Sequence, residues 1–266
     1  MAERELTGKV AIVTGAGEGI GAGIALVLAE AGAVIAVADI DASSAARTAK
    51  TIEKDGGRAV VLQADVSDSV QVADMVAQTM SRLGAVDILV NNAGIATTGL
   101  VEELDEAAWQ RVLDVNLTGP FLCSKAVLPH MRARGWGRIV NVSSVAAKRI
   151  SLMAAASYTA SKAGLLGFTR HLAYEVARDG INVNAICPGP TWTAMYERHA
   201  DEATRRARVA TIPKGRWITP EDLGRVTAFL CSSAADTMCG LAIDVDGGTL
   251  LGWEPVATYL ARRRKK

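Results

Sequence analysis

Lys9-Val10-Ala11-Ile12-Val13-Thr14-Gly15-Ala16-Gly17-Glu18-Gly19-Ile20-Gly21 runs from an apolar stretch through a glycine-rich turn into a helical pattern. Residues 9–14 read as a buried strand and residues 19–31 as a helix. Glycines let the backbone turn sharply and approach a ligand closely, and the helix start offers unpaired N–H groups and the positive end of a dipole. A turn that binds nothing is the bland alternative. The strand–turn–helix setting is the one that a dinucleotide pyrophosphate requires.

Working outward, the same alternation repeats. Strands are expected at 34–38, 59–63, 87–90, 138–142, 181–186 and 242–245. Helices are expected at 42–55, 69–83, 120–134, 157–178 and 221–231. This rhythm implies a doubly wound α/β fold, a parallel sheet with helices on both faces, and its near-continuous apolar strands fit burial on both sides. With no linker or repeat, residues 1–266 are expected to form one domain. Two segments break the rhythm: 189–215, which holds Trp192, Met195, Tyr196 and several arginines, and the tail 250–266, which ends in five basic residues.

The chain has 266 residues, of which 50% are hydrophobic, and a formal net charge of +1. That balance calls for neither nucleic acid nor an anionic membrane. Cys123, Cys187, Cys231 and Cys239 form no C-x-x-C pair and no metal-ligand spacing, so free thiols and no metal site are expected. The polar start lacks a signal-peptide core, and no apolar run reaches the ~18 residues of a membrane span. A cytoplasmic protein without a membrane partner is the expectation.

Asp39 ends the second strand, where a carboxylate accepts hydrogen bonds from the adenosine ribose hydroxyls and repels a 2′-phosphate. Glu18 and Asp41 add negative charge nearby, so NAD (NADH) is the expected cofactor. Ile40 follows Asp39 at the same edge. Asp65 and Val66 end the third strand, to meet an adenine edge or to cap the next helix. Tyr158 and Lys162 stand four residues apart and share a helix face. A phenol titrates near 10, and a neighbouring ammonium and a positive nicotinamide are expected to lower that value so that Tyr158 exchanges a proton with an alcohol. Alone, such a pair is more often two solvated side chains.

The pair does not stand alone. Thr14–Gly21, Asn91-Asn92-Ala93-Gly94, Ser143-Ser144, Tyr158/Lys162 and Pro188-Gly189 follow in one order. In these motifs residues 6–248 resemble the short-chain dehydrogenase/reductase family. The resemblance implies a Rossmann-type sheet of about seven parallel strands and an Asn–Ser–Tyr–Lys tetrad at Asn116, Ser144, Tyr158 and Lys162. Ser143 is the rival serine; Val145-Ala146-Ala147 puts Ser144 in register. The resemblance also implies that Gly15, Gly17, Glu18, Gly19, Ile20, Gly21, Asn92, Ala93, Gly94, Pro188, Gly189, Thr191 and Thr193 line the cofactor, with Lys162 on the nicotinamide ribose and Thr193 on the carboxamide. It further implies a homo-oligomer, a tetramer or dimer, with Trp253 and the last helix and strand suited to the contact.

The expected reaction interconverts a secondary alcohol and a ketone. Ser144, Ile150, Met153, Ala154 and Tyr158 are candidate substrate contacts. So are Trp192, Met195, Tyr196 and His199, with packing of the loop onto the body as the equal alternative for Trp192 and Met195. Arg205-Arg206-x-Arg208 reads either as a carboxylate or phosphate reader or, by preference, as a solvated helix face. Rival functions are a 3-oxoacyl thioester reductase, a sugar or polyol dehydrogenase, an idle dinucleotide-binding scaffold, and a nucleic-acid binder based on the basic tail.

Overall fold

A computed structural model describes residues 5–193, 201–252 and 254–263. Seven strands form one parallel sheet: β1 (Val10–Thr14), β2 (Val34–Asp39), β3 (Ala59–Gln63), β4 (Ile88–Asn91), β5 (Gly137–Val142), β6 (Ile181–Pro188) and β7 (Ala242–Val245). Their spatial order is β3-β2-β1-β4-β5-β6-β7. The chain builds outward from β1 to β3, then crosses back to lay β4 on the other side of β1. That reversal opens a crevice above the carboxyl ends of β1 and β4, the place where doubly wound sheets bind ligands.

The nine α-helices among the described residues are α1 (Gly19–Glu30), α2 (Ala42–Lys54), α3 (Ser69–Leu83), α4 (Glu106–Leu113), α5 (Gly119–Arg134), α6 (Ala156–Val176), α7 (Glu202–Ala210), α8 (Pro220–Cys231) and α9 (Val256–Arg263). Alternation along the strands divides the core. Ala11 and Val13 pack with Ile24 and Leu28 of α1 and with Leu223 and Leu230 of α8. Ile12 faces the opposite layer, with Met75 of α3, Val127 and Met131 of α5 and Leu172 of α6.

Every expected strand is present within two residues of its expected bounds. The helices need three corrections. The segment before α5 holds α4 and a π-helical turn, Asp114–Thr118. The segment 189–215 contains α7, and the tail contains α9. Asp105 and Asp201 supply the overlooked start signals: their side chains accept from Ala108 N at 2.9 Å and Thr204 N at 2.8 Å, as helix caps do. Trp253 lies outside the described residues.

Candidate active site

The glycine loop is held from β4. Asn92 Nδ2 donates to the carbonyl oxygens of Thr14 and Gly15, both at 2.9 Å. Thr14 Oγ1 accepts from Asn92 N (3.0 Å) and Ala93 N (3.1 Å) and donates to Val90 O. Gly21 is required by this clamp: a Cβ there would stand 2.2 Å from Gly15 O and 2.4 Å from Asn92 Nδ2. Gly19 has φ +60°, and a Cβ on it would point into the crevice, with Thr193 Cγ2 at 3.7 Å across it. Unlike α2, α3, α4, α7 and α8, α1 has no side-chain cap; like α2 and α3, it carries no acidic residue in its first turn. An uncapped helix start behind a cradle that side chains would fill fits a dinucleotide diphosphate.

Asp39 stands at the rim of the same loop. Its Oδ2 accepts from Gly17 N at 2.8 Å and its Oδ1 from Asp41 N at 3.0 Å, which aims the carboxylate along the crevice edge and leaves lone pairs for further donors. Hydrogen bonds from Ser44 and Ser43 hold Asp41 down at about 2. Glu18 and Ile40 are exposed beside the loop, and Ile20 packs partly against the core. Asp65 is not the cap of α3. Its carboxylate accepts from Ser67 N and Oγ and takes an ion pair from Arg111 of α4 at 2.8 Å, while Asp68 caps α3. Burial pushes Asp65 up, but the Ser67 and Arg111 contacts outweigh it and leave its carboxyl below the usual range. The Val66 side chain packs against the start of α5, where a Cβ on Gly119 would lie 2.8 Å from it.

The tetrad candidates converge under the carboxyl ends of β4 and β5. Asn116, fully buried in the π-helical turn, accepts from Ile95 N (2.8 Å) and donates to Ile95 O (2.9 Å) and Ser161 Oγ (3.1 Å). Lys162 Nζ donates to Val142 O at 2.8 Å. A Cβ on Gly94 would lie 3.2 Å from Asn116 Oδ1 and 3.4 Å from Lys162 Nζ, so Gly94 joins the two. The serines separate cleanly. The buried Ser143 hydroxyl donates to Lys162 O at 2.9 Å, whereas Ser144 caps a short turn through Ala146 N and faces Tyr158.

One electrostatic expectation is reversed in the protein by itself. Burial raises the Tyr158 phenol above its ordinary value, with the Ser144 hydrogen bond pulling the other way. Burial also lowers Lys162 to about 8. The Lys162 ammonium is 5.7 Å from the Tyr158 ring centre and directed at a carbonyl, so desolvation of the phenol dominates.

Ser144 and Tyr158 open into a cavity of about 570 Å³ that also reaches Ile150, Met153, Ala154 and Thr193. Pro188 and Gly189 line it at the end of β6. Thr191 turns back to Gly189 O and pairs with Ile218. Trp192 takes the packing alternative and not the substrate contact: it sets its ring edge-on to Trp217, centres 5.4 Å apart, and lines a different cavity with Arg205, Arg206 and Arg216. Met195, Tyr196 and His199 lie outside the described residues. Two arginines also line the cavity of Ser144 and Tyr158. Arg149 carries no motif that singles it out in the sequence, whereas Arg208 belongs to the arginine cluster read either as a carboxylate or phosphate reader or, by preference, as a solvated face. The signal for Arg208 was spacing, since it shares a helix face with Thr204 while Arg205 and Val209 share the next.

Crevice, glycine cradle and a buried lysine behind a cavity-lining tyrosine define a dinucleotide-binding α/β oxidoreductase. The chain belongs to the short-chain dehydrogenase/reductase family. A family model described as Enoyl-(Acyl carrier protein) reductase matches residues 15–249. The chain is 41% identical over 241 residues to cis-4-hydroxycyclohexanecarboxylate dehydrogenase of Sinomonas cyclohexanicum, covering 90% of this chain and 96% of that one. It is 41% identical over 243 residues to 3-oxoacyl-[acyl-carrier-protein] reductase of Pseudomonas aeruginosa, covering 91% and 98%. A crystal structure provisionally described as a 2-deoxy-D-gluconate 3-dehydrogenase of Agrobacterium tumefaciens with bound NADP superposes with a TM-score of 0.85 at 39% identity, covering 95% of this chain and all of that one. Family membership implies a nicotinamide cofactor. No helix of the described residues is long and apolar enough to cross a membrane.

Proposed function

We propose that the protein interconverts a secondary alcohol and a ketone with NAD(H), with Tyr158 as the proton-transfer group. The observation that carries this reading is the shared cavity of Ser144 and Tyr158 backed by buried Lys162. The nicotinamide, when bound, takes or returns the hydride. Ser144 orients and polarises the substrate oxygen. Tyr158 gives that oxygen a proton or removes one. Lys162 binds the nicotinamide ribose and supplies the positive charge that favours the phenolate, and Asn116 fixes the backbone beside it. Gly15, Gly17, Gly19 and Gly21 seat the diphosphate on the start of α1, with Asn92, Ala93 and Gly94 holding the loop. Thr193 reaches across from the far wall to the carboxamide. Asp39 and Asp41 support NAD over NADP through charge. A homo-oligomeric enzyme in the cytoplasm is part of the same reading, as is a single domain over residues 1–266.

The relatives favour one second reading, reduction of a 3-oxoacyl thioester, because the Pseudomonas protein is named for it. Rate measurements with NAD⁺ across hydroxy acids, polyols and cyclic alcohols, set against a 3-oxoacyl thioester with NADPH, separate the two. Tyr158→Phe is expected to lose at least about 10²-fold in turnover, the scale of positioned acid–base catalysis, while NADH still binds by fluorescence. Near-normal turnover in that variant refutes the mechanism.

A further inference from the structure

The cavity that holds Ser144 and Tyr158 carries two guanidinium groups and, among its described lining residues, no carboxylate. Arg149 reaches it from just beyond the turn that follows Ser144, with Nη1 anchored on Thr249 O at 3.0 Å, and among the described residues its other donors meet no hydrogen-bond partner. Arg208 reaches it from α7. Its Nε is buried, and among the described residues its side chain meets neither a hydrogen-bond partner at Nε nor an ion pair. The rest of the wall near them is largely apolar: Val145, Ile150, Leu152 and Met153. A cation with an unmet donor beside apolar surface is a costly arrangement unless something pairs with it. The neighbouring arginines of α7 show the contrast. Arg206 pairs with Glu202, and Arg205 lies over the Trp192 ring at 5.0 Å.

We propose that the substrate carries a carboxylate besides its reacting oxygen, and that Arg208 and Arg149 bind it, so that the enzyme acts on a hydroxy acid and its oxo acid. This rests on the alcohol–ketone reading above. A carboxylate fits better than a phosphate. It matches one guanidinium fork in plane, with the second arginine completing the charge. The backbone N–H that a phosphate would seek at the start of α7, Thr204 N, is already taken by Asp201, whose own charge opposes a dianion nearby. Both arginines act on specificity and neither on the proton transfer.

The test reads binding rather than turnover. Cyclohexanecarboxylate and cyclohexanecarboxamide are titrated calorimetrically into the protein saturated with its nicotinamide cofactor; neither probe has a hydroxyl, so neither reacts. The carboxylate is expected to bind about tenfold tighter than the amide or better, as loss of a charge-assisted hydrogen bond implies. Arg208→Ala and Arg149→Ala are each expected to remove most of that difference. Arg208→Lys should keep part of it, and Arg206→Ala all of it. Equal affinity for the two probes, no binding of either, or an unchanged preference in both alanine variants overturns the proposal. Tyr158→Phe should retain the carboxylate preference. An absence of dehydrogenase activity with the preference intact therefore counts against the reaction and leaves the anion site standing.

Discussion

At the scale of single residues, neighbours of the same type have different jobs because their hydroxyls meet different partners. Ser143 closes a buried hydrogen bond to Lys162 O, and Ser144 faces the cavity. Ser144→Ala is therefore expected to lose turnover with little change in melting temperature. Ser143→Ala is expected to lose about 1–3 kcal/mol of stability, because it leaves a buried carbonyl short of a donor; thermal unfolding and initial rates of both variants check this, and the reverse pattern refutes it. Lys162 gives a pH signature. Its folded value of about 8 lies below that of an exposed lysine. Below about 8 both folded and unfolded chains hold the proton, and the fold bears the full cost of a buried ammonium. Between about 8 and 10.4 only the unfolded chain still holds it, so stability from this group rises with pH. Lys162→Met should abolish turnover yet melt no lower than wild type at pH 7, and the wild type should gain on it at pH 9.5. A difference that does not change between the two pH values counts against a buried ammonium.

At the scale of elements, α1 and α8 form the platform behind the glycine loop, in such close contact that a Cβ on Gly224 would lie 2.7 Å from Val27 Cγ2. The start of α8 is closed by a reciprocal cap: Asp222 N donates to Thr219 Oγ1 and Thr219 N to Asp222 Oδ2, while Arg216 pairs with Asp222 at 2.6 Å. The Arg216 hydrogen bond leads in holding Asp222 at about 2. A depressed carboxyl contributes its stability fully above its ordinary value near 3.9, and the contribution fades as pH falls toward 2. Thr219→Ala is expected to cost about 0.5–2 kcal/mol, and Asp222→Asn to flatten the wild-type decline between pH 4 and 2 in denaturant titrations. A variant that declines as steeply as the wild type removes the assignment. Legibility also divides at this scale. The strands were readable because burial on both faces leaves long apolar runs, as in Val10–Thr14 and Ile181–Pro188. The glycine loop and Ser144 were readable because each follows a strand end, and Tyr158 and Lys162 because their four-residue spacing puts them on one face of α6. Helices α4, α7 and α9 were not, since α7 buries none of its residues and α9 is a short exposed amphipath, so hydrophobic spacing left little trace. Arg149 escaped altogether, and the two readings of Arg208 stayed open for a related reason: whether it points to solvent or to the cavity of Tyr158 depends on where α7 docks, which is a tertiary fact.

At the scale of the whole molecule, the crevice gathers segments far apart in the chain. The loop after β1, Asp39 at the end of β2, Asn92–Gly94 after β4 and Thr193 beyond β6 all border it. A ligand spanning them binds only the folded arrangement, so it stabilises the fold by mass action, about 2.7 kcal/mol at a hundredfold excess over Kd. For a domain of this size that corresponds to a rise in melting temperature of roughly 5–10 °C. The sign of the local field decides which dinucleotide does so. Asp39 and Asp41 stand together at the end of β2, with Asp41 held ionised to about pH 2, and a 2′-phosphate placed there meets two like charges. Arg47 is the nearest opposing charge on α2, and its guanidinium already donates to Ser44 Oγ at 2.7 Å, so it offsets this repulsion only in part. NADH is therefore expected to raise the melting temperature well above NADPH at equal concentration, with a preference of about 10–100-fold in Kd, or roughly 1.4–2.7 kcal/mol. Asp39→Ala should narrow that gap by weakening NADH and admitting NADPH, the latter now met by Arg47. Equal shifts for the two dinucleotides in the wild type, or a larger one for NADPH, would instead assign the chain to the NADP-using side of the family and move the thioester reductase reading ahead.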